Sequence, residues 1–141
     1  MNRSAAHSKL IRACLELLGF HRIPAWSSKT TGQYDPTTGR WRKAKGVKAR
    51  KGVADITGVI PPNGRALFVE CKTGSGSLSP AQRDFRDEVV AAGALYVEAR
   101  NLDDLQDGLA EHRDQDVFEA RQSMLPPSGG HIIPHNVTHA T

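Results

Sequence analysis

The stretch VADITGVIPPNGRALFVECK at residues 53–72 decides the fold that the sequence predicts. Its two arms are rich in apolar and β-branched residues, and the turn-forming run Pro-Pro-Asn-Gly separates them. This pattern is typical of a β-hairpin. Side chains at positions i and i+2 of a strand share a face, so Glu70 and Lys72 should point together. The hairpin then lets Asp55 reach the same face from the neighbouring strand.

The two carboxylates, Asp55 and Glu70, indicate the chemistry that we expect of this hairpin. Carboxylates that converge with room for water supply the oxygen ligands that Mg²⁺ prefers, and Mg²⁺ borrows phosphate oxygens from its substrate. A nearby lysine such as Lys72 can orient the nucleophile or stabilise charge on the phosphate. We therefore expect phosphodiester hydrolysis with Mg²⁺ or Mn²⁺ as the cofactor. The alternative is an ordinary exposed strand face with a Glu–Lys pair.

Segments on both sides of the hairpin predict an α/β domain. The expected elements are an amphipathic helix at 8–19, an edge strand within 20–26, a helix that begins after the N-cap Ser79, a strand at 94–99 and a last helix at 102–112. The signal fades beyond about residue 114. We predict one domain over residues 1–114 and a flexible tail over 115–141.

Residues 27–52 form a polar segment that we expect to project as a loop, with a small hairpin around DPTTGR. Its last part contains seven basic residues, one tryptophan and no acid. Such a run can hold a phosphate backbone, and the tryptophan can stack on an exposed base. The predicted nucleic-acid-binding residues are Arg40, Trp41, Arg42, Lys43, Lys45, Lys48, Arg50 and Lys51. The alternative is a solvated charge run, and nothing in it predicts base-specific contacts.

Charge and composition narrow the class of protein. Residues 1–72 carry 14 Lys and Arg against 4 Asp and Glu, so this half should meet a polyanion. No stretch approaches the roughly 20 apolar residues that span a bilayer, and we expect a cytoplasmic protein of phage or bacterial type without a membrane partner. The two cysteines, Cys14 and Cys71, have no zinc-site spacing and are expected to be buried free thiols.

Three motifs in order, GVADITG at 52–58, FVECK at 68–72 and LSPAQ at 78–82, resemble the virus-type replication-repair nuclease (VRR-NUC) family of the PD-(D/E)XK superfamily. In its members a glycine-led motif that ends in the first acid precedes an acid-x-lysine strand, and a Leu-Ser/Thr-x-x-Gln helix start follows. The resemblance covers about residues 7–107. It implies a restriction-endonuclease-like core, with a mixed sheet of about four strands and flanking helices.

The resemblance also implies roles for further residues. Gln82 matches a glutamine near the active site, although its position three residues after Ser79 is equally that of a capping-box residue. The family's helix-borne glutamate has no clear match, and His7 falls at its place, where it either ligates the metal or is a solvated helix start. A second departure, Ala54 in place of the usual proline, looks harmless. The expected catalytic residues are Asp55, Glu70, Lys72 and Gln82, and the expected metal ligands are Asp55, Glu70, Cys71 and His7.

These features predict a metal-dependent DNA endonuclease. The family resemblance extends the expectation to branched or junction DNA in phage-type replication, repair or packaging, and to a homodimer. One alternative is a catalytically inactive nucleic-acid-binding module with the same fold, which the missing helix-borne glutamate supports. Another is an enzyme that acts on RNA, because a phosphate grip and a metal site do not distinguish the sugar.

Overall fold

The computed structural model describes residues 3–28, 33–42 and 50–125. In chain order the elements are α1 (Arg3–Phe20), β1 (Ala25–Ser27), β2 (Gln33–Asp35), β3 (Arg40–Arg42), β4 (Ile56–Ile60), β5 (Arg65–Cys71), α2 (Pro80–Ala91), β6 (Leu95–Ala99) and α3 (Leu102–Met124). Strands β1, β4, β5 and β6 form one sheet in that spatial order. The predicted α/β fold, with a mixed four-stranded sheet and flanking helices, is confirmed.

The centre of the sheet is the predicted hairpin. Strand β4 pairs antiparallel with β5, and Ile56 lies opposite Val69, so the register continues to Asp55 and Glu70 at the open end of the hairpin. Strand β1 pairs antiparallel with β4 at one edge of the sheet. The edge strand expected within residues 20–26 is present, but it begins only after Pro24 and extends to Ser27, because α1 continues to Phe20 and a turn follows it. Strand β6 is parallel to β5, which requires the crossover that α2 provides.

Helices cover both faces of the sheet. Alternate residues of β5 and β6 face α1 and α3, and their apolar side chains form the main core with Ile11, Cys14, Leu18, Leu67, Val69, Cys71, Val97, Leu105 and Leu109 among its members. The other face is covered by α2, where the Phe85 ring meets the Phe68 ring edge-on at 5.0 Å. The sheet is therefore the middle layer of three, and Glu70 belongs to the face beneath α2.

The last helix is longer than predicted. Helix α3 continues to Met124 instead of ending near residue 114, and its buried residues are Leu105, Leu109 and His112. Beyond His112 no side chain of the helix is buried, so the apolar periodicity that marks an amphipathic helix stops there. The predicted tail at 115–141 thus begins with helix. Residues 126–141 lie outside the described residues, and the domain boundary stays a prediction.

The small hairpin expected around DPTTGR is confirmed. Strands β2 and β3 pair antiparallel, with Asp35 opposite Arg40. The Asp35 carboxylate accepts a hydrogen bond from the Thr37 backbone N–H at 2.9 Å, and Gly39 has a φ of 64°, which glycine adopts without strain. Among the described residues, no helix is long and apolar enough to cross a membrane.

Candidate active site

The open end of the hairpin brings together residues from four elements. Asp55 immediately precedes β4, Glu70 and Cys71 end β5, His7 lies on α1, and Gln82 lies in the first turn of α2. One Asp55 carboxylate oxygen, Oδ2, accepts the Cys71 backbone N–H at 2.9 Å and lies 3.1 Å from His7 Nε2. Asp55 is thus fixed across the hairpin.

Glu70 is the most deeply buried acid of this group, with 3% of its surface exposed. Its Oε1 accepts a hydrogen bond from Gln82 Nε2 at 2.7 Å and lies 3.1 Å from Lys72 Nζ. Its Oε2 is buried and has no hydrogen-bond partner in the described part of the chain. Burial raises the pKa of the Glu70 carboxyl above its ordinary value, the Asp55 carboxylate adds to the rise, and Lys72 offsets part of it.

Gln82 combines the two roles that the sequence left open. Its backbone N–H donates to Ser79 Oγ at 3.2 Å, and its Oε1 accepts the Ser79 N–H at 2.9 Å, which completes a capping box. The same Oε1 accepts a hydrogen bond from Lys72 Nζ at 2.8 Å, while Nε2 donates to Glu70. The N-terminal cap of α2 therefore holds two functional side chains, Glu70 on β5 and Lys72 directly after this strand.

A close approach of backbone to backbone explains the glycine that leads the first motif. Gly52 has a φ of 78°, and a Cβ at this position would lie 2.2 Å from the Ala81 carbonyl oxygen and 2.7 Å from the Gln82 nitrogen. No side chain fits there. Gly52 thereby sets the residues before Asp55 against the first turn of α2. Sequence reasoning found the motif but not this packing.

Cys71 faces the site through its backbone only. Its thiol is buried in the core, with Sγ 4.0 Å from the Sγ of Cys14, and both cysteines are free. The contact with Cys14 and burial raise the pKa of the Cys71 thiol. The expectation of two buried free thiols is confirmed. As a metal ligand, Cys71 can offer its carbonyl oxygen to the site, but not its sulfur.

His7 lies inside α1, which begins at Arg3, so it is not a solvated helix start. Its Nε2 is 3.1 Å from Asp55 Oδ2 and 3.0 Å from the Cys71 carbonyl oxygen. Both partners are acceptors, so Nε2 carries a hydrogen in this arrangement. The structure brings His7 to the two acid-bearing strands, and its role as a metal ligand stays a prediction.

A sequence model of the VRR-NUC domain matches residues 2–101, which is more than half of the chain. The chain belongs to the VRR-NUC family. Membership implies a nuclease-type function, in a family that generally uses divalent metals. Searches of curated proteins and of solved structures gave no match. The matched residues of this VRR-NUC domain include the whole four-stranded sheet and α2, whereas α3 lies beyond them.

At this site the described residues offer oxygen donors to a metal ion, but they do not form a preformed cluster of metal-ligating side chains. Among residues 3–28, 33–42 and 50–125, no three His, Cys, Asp or Glu side chains form a cluster that could hold a metal ion. Two carboxylates and the Cys71 carbonyl nevertheless fit Mg²⁺, which typically keeps several waters and takes few protein ligands. The unpartnered Oε2 of buried Glu70 is the observation that favours a cation here.

Only part of the basic segment is described. Arg42, in β3, lies 2.6 Å from the Asp35 carboxylate. Arg50 forms an ion pair with Glu88 on α2 and stacks over the Phe85 ring at 5.0 Å. Two further basic residues are exposed, Arg40 and Lys51, and the tryptophan of the segment, Trp41, lies in β3. The remaining predicted binding residues lie outside the described residues: Lys43, Lys45 and Lys48. The Arg42 and Arg50 guanidiniums already have carboxylate partners, and nucleic-acid binding by this segment stays a prediction.

Proposed function

We propose that this VRR-NUC domain is a Mg²⁺- or Mn²⁺-dependent endonuclease that hydrolyses DNA phosphodiester bonds, with branched or junction DNA in phage-type replication, repair or packaging as its substrate. The observation that carries the proposal is that the two carboxylate oxygens of Glu70 have different surroundings. Its Oε1 is occupied by Gln82 and Lys72, and its Oε2 is buried and unpartnered among the described residues. A buried polar atom without a partner is costly, and a cation would offset that cost.

The residues that would hold the cation are Asp55, Glu70 and the carbonyl oxygen of Cys71. The chemistry that a divalent ion supplies at such a site is polarisation of the phosphodiester and generation of a hydroxide nucleophile near neutral pH. Asp55 is oriented for this by the Cys71 N–H, and Glu70 by the Gln82 amide. Ligands fixed by such neighbours keep their geometry without reorganisation.

Lys72 is the residue that we assign to the phosphate. Its ammonium contacts Gln82 Oε1 and Glu70 Oε1, and 15% of its side chain is exposed. An ammonium has three N–H donors, which leaves one, within the described part of the chain, for a substrate oxygen. A positive charge held in a largely buried position stabilises negative charge that develops on the phosphoryl group more strongly than it would in water.

His7 would act as a nitrogen ligand in place of the family's helix-borne glutamate. Its Nε2 already lies near two of the proposed ligand atoms, Asp55 Oδ2 and the Cys71 carbonyl oxygen. Ligation through Nε2 requires a neutral ring with the hydrogen moved to Nδ1. The same contacts support the second candidate, an inactive nucleic-acid-binding module, in which His7 ties Asp55 to β5 and no cation enters.

The test is a panel of labelled linear, flapped and four-way DNA substrates, incubated with Mg²⁺, with Mn²⁺ and with chelator. We expect cleavage that requires the metal and that is faster on a branched substrate. Binding without cleavage under every metal condition would favour the inactive module. An RNA arm of matched sequence tests the sugar preference, and sedimentation of the protein with and without DNA tests the homodimer.

A further inference from the structure

A cavity of about 470 Å³ opens beside the candidate active site. It lies between the start of α1 and the segment that follows β5, and its lining includes Ser4, His7, Lys72, Thr73, Ser75 and Gly76. Its volume falls within the roughly 300–1,000 Å³ that is typical of small-ligand sites. Because Lys72 and His7 also belong to the candidate active site, a ligand in the cavity would adjoin the reacting phosphate.

The chemistry of the lining suits an anion. Lys72 contributes a positive charge, and Thr73 and Ser75 contribute hydroxyl groups that can donate hydrogen bonds. The cavity also adjoins the first turns of α1, an 18-residue helix with no acid in its first turn. Helix N-termini carry a partial positive charge, which no carboxylate of that turn neutralises.

Arg100 contacts the segment after Lys72 at two backbone carbonyls, in addition to the hydrogen bond of 3.3 Å that the Gly76 N–H donates to the Thr73 carbonyl. Arg100, just after β6, donates from Nη1 to the Gly74 carbonyl at 2.9 Å and from Nη2 to the Gly76 carbonyl at 2.6 Å. Its Nη2 also lies 3.2 Å from Glu98 Oε1. These bonds satisfy two carbonyls on the loop that carries Ser75. The hydroxyl-bearing wall of the cavity is thus fixed before any ligand arrives.

We propose that this cavity binds the sugar–phosphate unit next to the scissile phosphate, with Thr73 and Ser75 as hydrogen-bond donors to that neighbouring phosphate and Arg100 as the residue that positions them. The inference rests on the proposed nuclease function and adds to it a second phosphate site on the cut strand. A phosphate fixed one position away from the reacting bond holds the strand in register with Lys72, which lowers the entropic cost of reaching the reactive geometry.

The experiment combines protein variants with chemically modified DNA. Single neutral methylphosphonate linkages are placed one at a time on each side of the cleaved bond, and kcat/KM is measured for wild type, for Thr73→Val with Ser75→Ala, and for Arg100→Gln. The control is Ser77→Ala, since Ser77 lies in the same loop and does not line the cavity. Circular dichroism and thermal unfolding verify that every variant is folded.

We expect one neighbouring methylphosphonate to lower wild-type kcat/KM by about tenfold, the loss typical of a hydrogen bond to a charged group. On unmodified DNA the Thr73/Ser75 double variant should lose a similar factor, and the same methylphosphonate should then have little further effect. Arg100→Gln should behave alike, and Ser77→Ala should match wild type. If the loss from the methylphosphonate and the loss from the double variant multiply at every linkage position, the second phosphate site is wrong and the proposed nuclease function still stands. A wild type that cleaves no substrate would overturn both proposals.

Discussion

Gln82 donates a hydrogen bond of 2.7 Å from Nε2 to Oε1 of Glu70. The amide cannot turn over without loss, because its Oε1 accepts from both the Ser79 backbone and Lys72 Nζ. The capping box of α2 is therefore also the support of the buried acid and its lysine. The same glutamine that caps the first turn of α2 thus positions Glu70 and Lys72.

A comparison of Gln82→Ala with Ser79→Ala should distinguish the contribution of the helix cap to stability from its contribution to catalysis. Ser79→Ala removes the hydroxyl of the cap and should cost about 0.5–2 kcal/mol of unfolding free energy, with cleavage at saturating DNA retained. Gln82→Ala also removes the hydrogen bonds that Gln82 makes to Glu70 and Lys72, and we expect a further loss of roughly 10–100-fold in kcat. Denaturant unfolding and single-turnover cleavage measure the two effects. Equal cleavage rates for the two variants would refute the supporting role of Gln82.

The packing of Gly52 against α2 gives a second prediction. Gly52→Ala forces a Cβ into the Ala81–Gln82 peptide, so it should destabilise the fold and slow cleavage by shifting Gln82. Gly93→Ala is the matched control: Gly93 has a φ of 97°, and nothing lies within 4 Å of a Cβ built there. The control should lose about 1–2 kcal/mol to backbone strain alone. If both variants lose equal stability and activity, the contact with α2 has no functional weight.

Because Glu70 is buried, we expect the stability of the metal-free protein to depend on pH. The pKa of Glu70 is raised in the folded protein, so the fold binds this proton more tightly than the unfolded chain does. In the absence of metal, stability should fall as pH rises through the unfolded and then the raised folded pKa. Glu70→Gln removes that titration and should be more stable than wild type at neutral pH. Mn²⁺ should raise the unfolding free energy of wild type and not that of Glu70→Gln. If Mn²⁺ stabilises the variant and not wild type, Glu70 is not a charged, metal-binding carboxylate.

The basic segment yields a prediction that only its sequence supports. Lys43→Gln, Lys45→Gln and Lys48→Gln together should weaken binding to all duplexes alike and make the salt dependence shallower, because log affinity falls by about 0.9 per phosphate contacted for each unit of log salt. Cleavage at saturating DNA should persist. The control replaces Arg12, Arg113 and Arg121, which removes the same charge elsewhere. Identical salt slopes for the two triple variants would show that the segment is a solvated surface.

Local patterns in the sequence predicted the elements that carry the site. Alternation along β5 placed Glu70 and Lys72 on one face, and the Ser79–Gln82 spacing located the start of α2, because both signals depend on neighbours in the chain. The extension of α3 was not predicted, since its last turns bury nothing. The contact of Gly52 with α2 and the hold of Arg100 on the loop after Lys72 were also not predicted, because each joins residues distant in sequence.

The central claim, that Asp55 and Glu70 hold the cation that cleavage requires, is tested most directly by metal titration of the cleavage rate. The rate is measured at saturating DNA over a range of Mn²⁺ for wild type, Asp55→Ala, Glu70→Ala and the exposed-surface control Asp107→Ala. We expect each site variant to lose roughly 100- to 1,000-fold at any metal concentration while remaining folded, and the control to follow wild type. A folded Asp55→Ala or Glu70→Ala that cleaves at the wild-type rate with the wild-type metal dependence would contradict the assignment.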